Sequence, residues 1–131
     1  KKFIKNKECS YFGSRLNIDS KIITKKYRAF TGTVFNFILR LLIKENFLNV
    51  KDTQCGFKLY NKNVAKLVFK KIREYGYIHD VEILIILRKY NLKVYELPIT
   101  WIHKDGSKIN LIKDSIKMIA GLIRLKINYR L

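Results

Sequence analysis

Several places in this 131-residue chain set charged and polar side chains that could bind an anionic ligand. Arg15 follows Gly13-Ser14, and Arg28 follows Lys25-Lys26. A guanidinium is a planar fork that matches a phosphate bidentately. Each arginine can therefore clamp a phosphate, or stand as an ordinary solvated group. Asp52 and Gln54 lie in Lys-Asp-Thr-Gln-Cys-Gly-Phe-Lys-Leu, residues 51–59. Short polar groups here could shape a pocket wall, or Asp52 could bond nearby backbone N–H groups in a turn. Gly56 and Phe57 read as packing residues. Asp80 and Glu82 fall in His-Asp-Val-Glu. Two positions apart on a helix, they point about 200° apart, so one could face a site while the other pairs with a basic neighbour. Asp80 could instead cap the helix start. Ser107 and Lys108 follow Gly106 in a polar turn.

The elements that must hold these groups alternate in type. Residues 1–12 alternate basic and apolar and predict a strand ending at Gly13, where glycine permits a sharp turn. Residues 17–26 read as a polar loop. The apolar spacing from about Tyr27 to Phe47 predicts a helix. A short strand follows over Gly56–Tyr60. Asn61 reads as an N-cap for a helix over residues 62–73, with Val64, Leu67, Val68 and Ile72 inward. A second, more apolar helix covers about 79–90, with Asn91 as its terminator. Alternation over 92–102 predicts one strand, with Pro98 marking an edge or bulge. Isoleucines at three- and four-residue spacing over 109–128, with Lys113, Lys117 and Arg124 on another side, predict a basic amphipathic helix. Its stripe can pack on the sheet or lie on a membrane. The class is α/β.

Net charge is +18, from 28 basic and 10 acidic residues. This suits an anionic partner, although compositional bias towards lysine accounts for part of it. Two cysteines, Cys9 and Cys55, make neither a disulfide framework nor a zinc pattern. No run reaches the roughly 18 apolar residues of a membrane span.

In this order, Gly13-Ser14-Arg15, the 51–59 run, His79-Asp80-Val81-Glu82 and Gly106-Ser107-Lys108 resemble the second half of the glycosyltransferases that load a sugar onto dolichyl phosphate. The likeness runs from about Tyr11 to Arg124. The glucosyl branch is the better match: mannosyl relatives carry an arginine where this chain has Ile102-His103-Lys104.

The resemblance implies the acceptor-side half of a GT-A fold, a mixed sheet flanked by helices, with residues 1–131 as a single partial domain. It implies transfer of glucose from UDP-glucose to dolichyl phosphate, for protein N-glycosylation, by direct displacement with Mg²⁺ or Mn²⁺. It places the work at the cytosolic face of the endoplasmic reticulum membrane, so a membrane surface is an expected partner. By the same resemblance Arg15, Arg28 and Asp80 are the catalytic candidates, and Asp52, Gln54, Glu82, Ser107 and Lys108 the substrate-binding ones. No metal ligand is assigned in the chain.

The relatives' Asp-x-Asp pair is not found, and neither is a Gly-rich phosphate loop. The sequence thus predicts a piece without the sugar-nucleotide half, inactive by itself. Other readings are a mannosyltransferase, another transferase of the same fold, or a basic nucleic-acid-binding module. Against the last, no DNA or RNA motif is present and the aromatics sit mostly on apolar stripes.

Overall fold

Strand β1 (Cys9–Ser14) is buried along almost its whole length, the pattern of a strand covered on both faces. The computed structural model describes residues 9–23, 37–41, 43, 50–102 and 111–131. In chain order the elements are β1, β2 (Lys21–Ile23), β3 (Lys58–Tyr60), α1 (Lys62–Lys71), a 3₁₀ turn (Gly76–Ile78), α2 (His79–Lys89), β4 (Lys93–Pro98), β5 (Thr100–Ile102) and α3 (Leu111–Tyr129). Residues 37–41 are also helical.

The chain divides into two compact units, Lys1–Lys21 with Phe47–Thr100, and Ile22–Asn46 with Trp101–Leu131. In the first, a three-stranded sheet has the order β3-β1-β4. β1 runs antiparallel to β3 and parallel to β4. The sheet is mixed and helices flank it, as the α/β reading expected. Phe12 pairs in register with Lys58 on one side and Glu96 on the other. Register partners share a face, so these three side chains form a row across the sheet.

Two helices of this unit are built by signals readable in the sequence. At the start of α1 the Asn61 side chain accepts from Asn63 N–H at 3.1 Å. Val64 and Val68, one turn apart, are its buried residues. Every residue of α2 from Asp80 to Leu87 is buried. The helix stops because Asn91 takes a left-handed φ of 52°. Asn91 N–H then reaches Arg88 O and Leu92 N–H reaches Leu87 O, each at 2.9 Å. That pair of bonds satisfies carbonyls the helix end would leave open.

Several expectations need correction. Gly13 is not a turn: it lies inside β1, and its N–H donates to Phe57 O at 2.8 Å. Its value is close approach, since a Cβ there would sit 2.9 Å from Ile99 Cγ2 and 3.1 Å from Cys55 Sγ. The polar stretch 17–26 contains β2, whose backbone pairs with β5 in a separate two-stranded sheet. The single strand expected over 92–102 is two, broken at Ile99. Phe57 and Gly56 are exposed rather than packed. Most of the helix expected over Tyr27–Phe47 lies outside the described residues.

In the second unit, Leu122 and Leu125 of α3 are fully buried, while Ile116, Ile123 and Ile127 are exposed. The buried side of α3 is thus not the isoleucine stripe.

Candidate functional site

The described candidate residues all belong to the first unit. Arg15 comes directly after β1, and Asp52 sits in the loop that precedes β3. Asp52 accepts three hydrogen bonds from Arg15. Oδ2 takes the backbone N–H at 2.9 Å and Nε at 2.7 Å, and Oδ1 takes Nη2 at 2.8 Å. Gln54 N–H adds a fourth, to Oδ1, at 3.2 Å. This geometry fixes the plane of the guanidinium. Asp52 is buried, whereas the Arg15 side chain is 33% exposed. The ionic contact therefore joins a buried carboxylate to a partly exposed guanidinium.

The pKa shifts follow from that contact. Burial pushes the Asp52 carboxyl up, but the hydrogen bonds and charge of Arg15 together outweigh burial and hold it below its ordinary range. The hydrogen bond to Asp52 raises Arg15 further above an already high value, against an opposing effect of burial.

The loop itself is tied down from β4. Glu96 Oε1 accepts from Lys51 N–H at 2.8 Å and from Asp52 N–H at 3.0 Å. Sequence reading did not select Glu96. The available signal was that it is the one carboxylate in the apolar alternation of residues 92–102.

Asp80 stands in the first turn of α2. Its Oδ1 lies 3.0 Å from Lys58 Nζ and 2.9 Å from His79 Nε2. Lys58 also donates to the Cys55 carbonyl, and its ammonium lies 5.2 Å from the centroid of the Phe12 ring. His79 Nδ1 contacts Gly76 O. Lys58 is thus one more functional candidate, not selected from the sequence although it is inside the 51–59 run, and His79 joins it at Asp80.

Glu82 points elsewhere. It is 1% exposed, and its Oε2 accepts from Arg73 N–H at 2.9 Å and Glu74 N–H at 2.7 Å. Those bonds hold the segment leaving α1. The structure therefore brings Arg15, Asp52 and Gln54 together, joins Asp80 to Lys58 and His79, and gives Glu82 a backbone-holding role. Arg28, Ser107 and Lys108 lie outside the described residues.

Among the described residues, four buried side-chain atoms have no hydrogen-bond partner, Ser10 Oγ, Ser14 Oγ, Gln54 Nε2 and Tyr60 Oη. Among the described residues no group of three or more His, Cys, Asp or Glu is gathered as a metal site would require. The Asp52, Asp80, Glu82 and Glu96 carboxylates each already accept N–H or face an ammonium. They do not fit a divalent cation.

The chain is 43% identical over 83 residues to a dolichyl-phosphate beta-glucosyltransferase of Saccharomyces cerevisiae, covering 63% of this chain and 25% of that protein. It is 35% identical over 133 residues to one from Trichomonas vaginalis, covering 100% and 40%. Against the Dictyostelium discoideum enzyme the identity is 31% over 121 residues, covering 91% and 36%.

This chain is similar to a portion of the dolichyl-phosphate beta-glucosyltransferases.

It spans a quarter to two-fifths of the length of these three glucosyltransferases. The resemblance read from the motifs is thereby supported, and the glucosyl reading is favoured over the mannosyl and nucleic-acid ones. No protein-family profile matches the chain, and no solved structure does.

Proposed function

We propose that this chain is the acceptor side of a GT-A enzyme that moves glucose from UDP-glucose to dolichyl phosphate, at the cytosolic face of the endoplasmic reticulum. The observation that carries the proposal is the Arg15–Asp52 fork, found in a chain similar to dolichyl-phosphate beta-glucosyltransferases.

The chemistry suits such a site. The acceptor oxygen belongs to a phosphate with a second pKa of about 6. It is largely ionised near neutral pH and needs no strong general base. The harder task is to hold two anions, acceptor phosphate and donor pyrophosphate, close together. Arg15 meets one part of that task, with Asp52 keeping its guanidinium plane fixed. Asp80, faced by Lys58 and His79, would orient a sugar hydroxyl. The Mg²⁺ or Mn²⁺ expected with a sugar nucleotide belongs to the same proposal. Asp52, Asp80, Glu82 and Glu96 do not fit it, so no step here runs through a cation.

A membrane surface as partner is supported by α3. Ile116, Ile123 and Ile127 are exposed on one side, with the exposed Lys113, Lys117 and Arg124 beside them. An apolar stripe bordered by cations suits an anionic lipid interface. No described helix is long and apolar enough to cross a membrane.

The test is Arg15→Ala in a complete glucosyltransferase containing this chain. Loss of a charge-assisted contact predicts a KM for dolichyl phosphate raised by roughly tenfold or more, with the UDP-glucose KM little changed. Normal turnover at low dolichyl phosphate would remove Arg15 from the site.

A further inference from the structure

The Arg15 side chain is set by a relay of hydrogen bonds that begins on another strand. Glu96 projects from β4 on the same face as Phe12 and Lys58. A single oxygen of its carboxylate, Oε1, gathers two consecutive backbone N–H groups, those of Lys51 and Asp52. Those two donors have no strand or helix to satisfy them, because residues 50–57 form no regular element. The carboxylate therefore fixes the path of the loop at the residue that carries the Asp52 side chain. Asp52 then turns both of its oxygens onto Arg15.

We propose that Glu96 is a positioning residue for Arg15, acting through the 51–52 backbone and the Asp52 carboxylate. This rests on the functional reading above, in which Arg15 meets the acceptor phosphate. Glu96 itself need not touch substrate. The physical argument is one of tolerance: a phosphate clamp loses effect when its donors are misplaced by about 1 Å. An unanchored loop would let Asp52, and with it the guanidinium, swing over more than that distance. A purely structural duty would predict something else. It would lower stability and the amount of active enzyme, yet leave the KM for each substrate alone.

The test uses the complete enzyme. Glu96→Leu removes both acceptor contacts and is expected to raise the KM for dolichyl phosphate roughly tenfold, leaving the UDP-glucose KM within about threefold. Glu96→Gln keeps an amide oxygen at the same reach and is expected to stay within about threefold of wild type. Should Glu96→Leu not accumulate as folded protein, Glu96→Thr makes the same cut with a strand-favouring residue.

On an Arg15→Ala background, Glu96→Leu is expected to add nothing further to the dolichyl phosphate KM. Full additivity there, or an unchanged KM in Glu96→Leu while Arg15→Ala is impaired, overturns the relay and leaves the functional reading standing. An unchanged KM in Arg15→Ala itself overturns the functional reading.

Discussion

Lys58 Nζ lies 3.0 Å from Asp80 Oδ1, and only 7% and 11% of the two side chains are exposed. Removing water from both charges is costly, and their mutual attraction offsets that cost only while both are present. Lys58→Met would leave the carboxylate without its ammonium partner, with only the His79 ring beside it. We expect a loss of about 3 kcal/mol in urea unfolding. The double variant with Asp80→Asn should recover much of it. A Lys58→Met protein as stable as wild type would show that the pair does not hold this corner of the fold.

Acid should expose the Arg15–Asp52 contact. The Asp52 carboxyl is held below its unfolded value. Its ionised form therefore stabilises the fold at pH above the unfolded pKa of about 3.9. That contribution is lost as pH falls through the lower, folded value. Melting temperature should drop more steeply below about pH 4 in the wild type than in Asp52→Asn. Equal slopes for the two proteins would place the acid sensitivity elsewhere.

Tyr60 gives the opposite dependence. Burial first, and the Asp80 carboxylate second, push its phenol above its ordinary value. The neutral phenol is fully compatible with the fold below the unfolded pKa of about 10, and stability falls as pH rises beyond it. Among the described residues the hydroxyl also finds no hydrogen-bond partner. Tyr60→Phe should therefore be neutral or stabilising by about 1 kcal/mol, and should lessen the alkaline loss. The edge-on ring contacts to Phe12 and Phe69, each at 5.7 Å between centroids, would remain. Clear destabilisation would mean that the hydroxyl is satisfied by water.

Gly13→Ala tests close packing beside the site. The added methyl would meet Ile99, Cys55 and Phe57, at 2.9, 3.1 and 3.2 Å. Overpacking of this kind costs about 1–3 kcal/mol. Chemical denaturation reads it, and an unchanged midpoint would show that the strand ends can separate freely.

What the sequence disclosed was mostly local. Asn61 and Asn91 mark helix ends through their own side chain or φ, so their effect needs no distant partner. β2 was missed because Lys21-Ile22-Ile23 is too short to show alternation, and its strand character comes from β5, far along the chain. The break at Ile99 was invisible for a related reason: the apolar alternation continues across it although the two halves join different sheets. Isoleucine periodicity gave the α3 helix but not its buried side, because Leu122 and Leu125 also lie on a helical spacing. At the site, residue types pointed to Arg15, Asp52 and Asp80. Their partners, Glu96 and Lys58, are set by strand register, which no local pattern encodes.

The middle position of β1 constrains synthesis. Both of its hydrogen-bonding neighbours lie much later in the chain, Ser10 pairing with Tyr60 and Cys9 with Lys93. During translation this strand emerges with both backbone edges unsatisfied and stays so until the distal segments have left the ribosome. A nascent chain in that condition exposes strand edges to aggregation until the distal segments arrive.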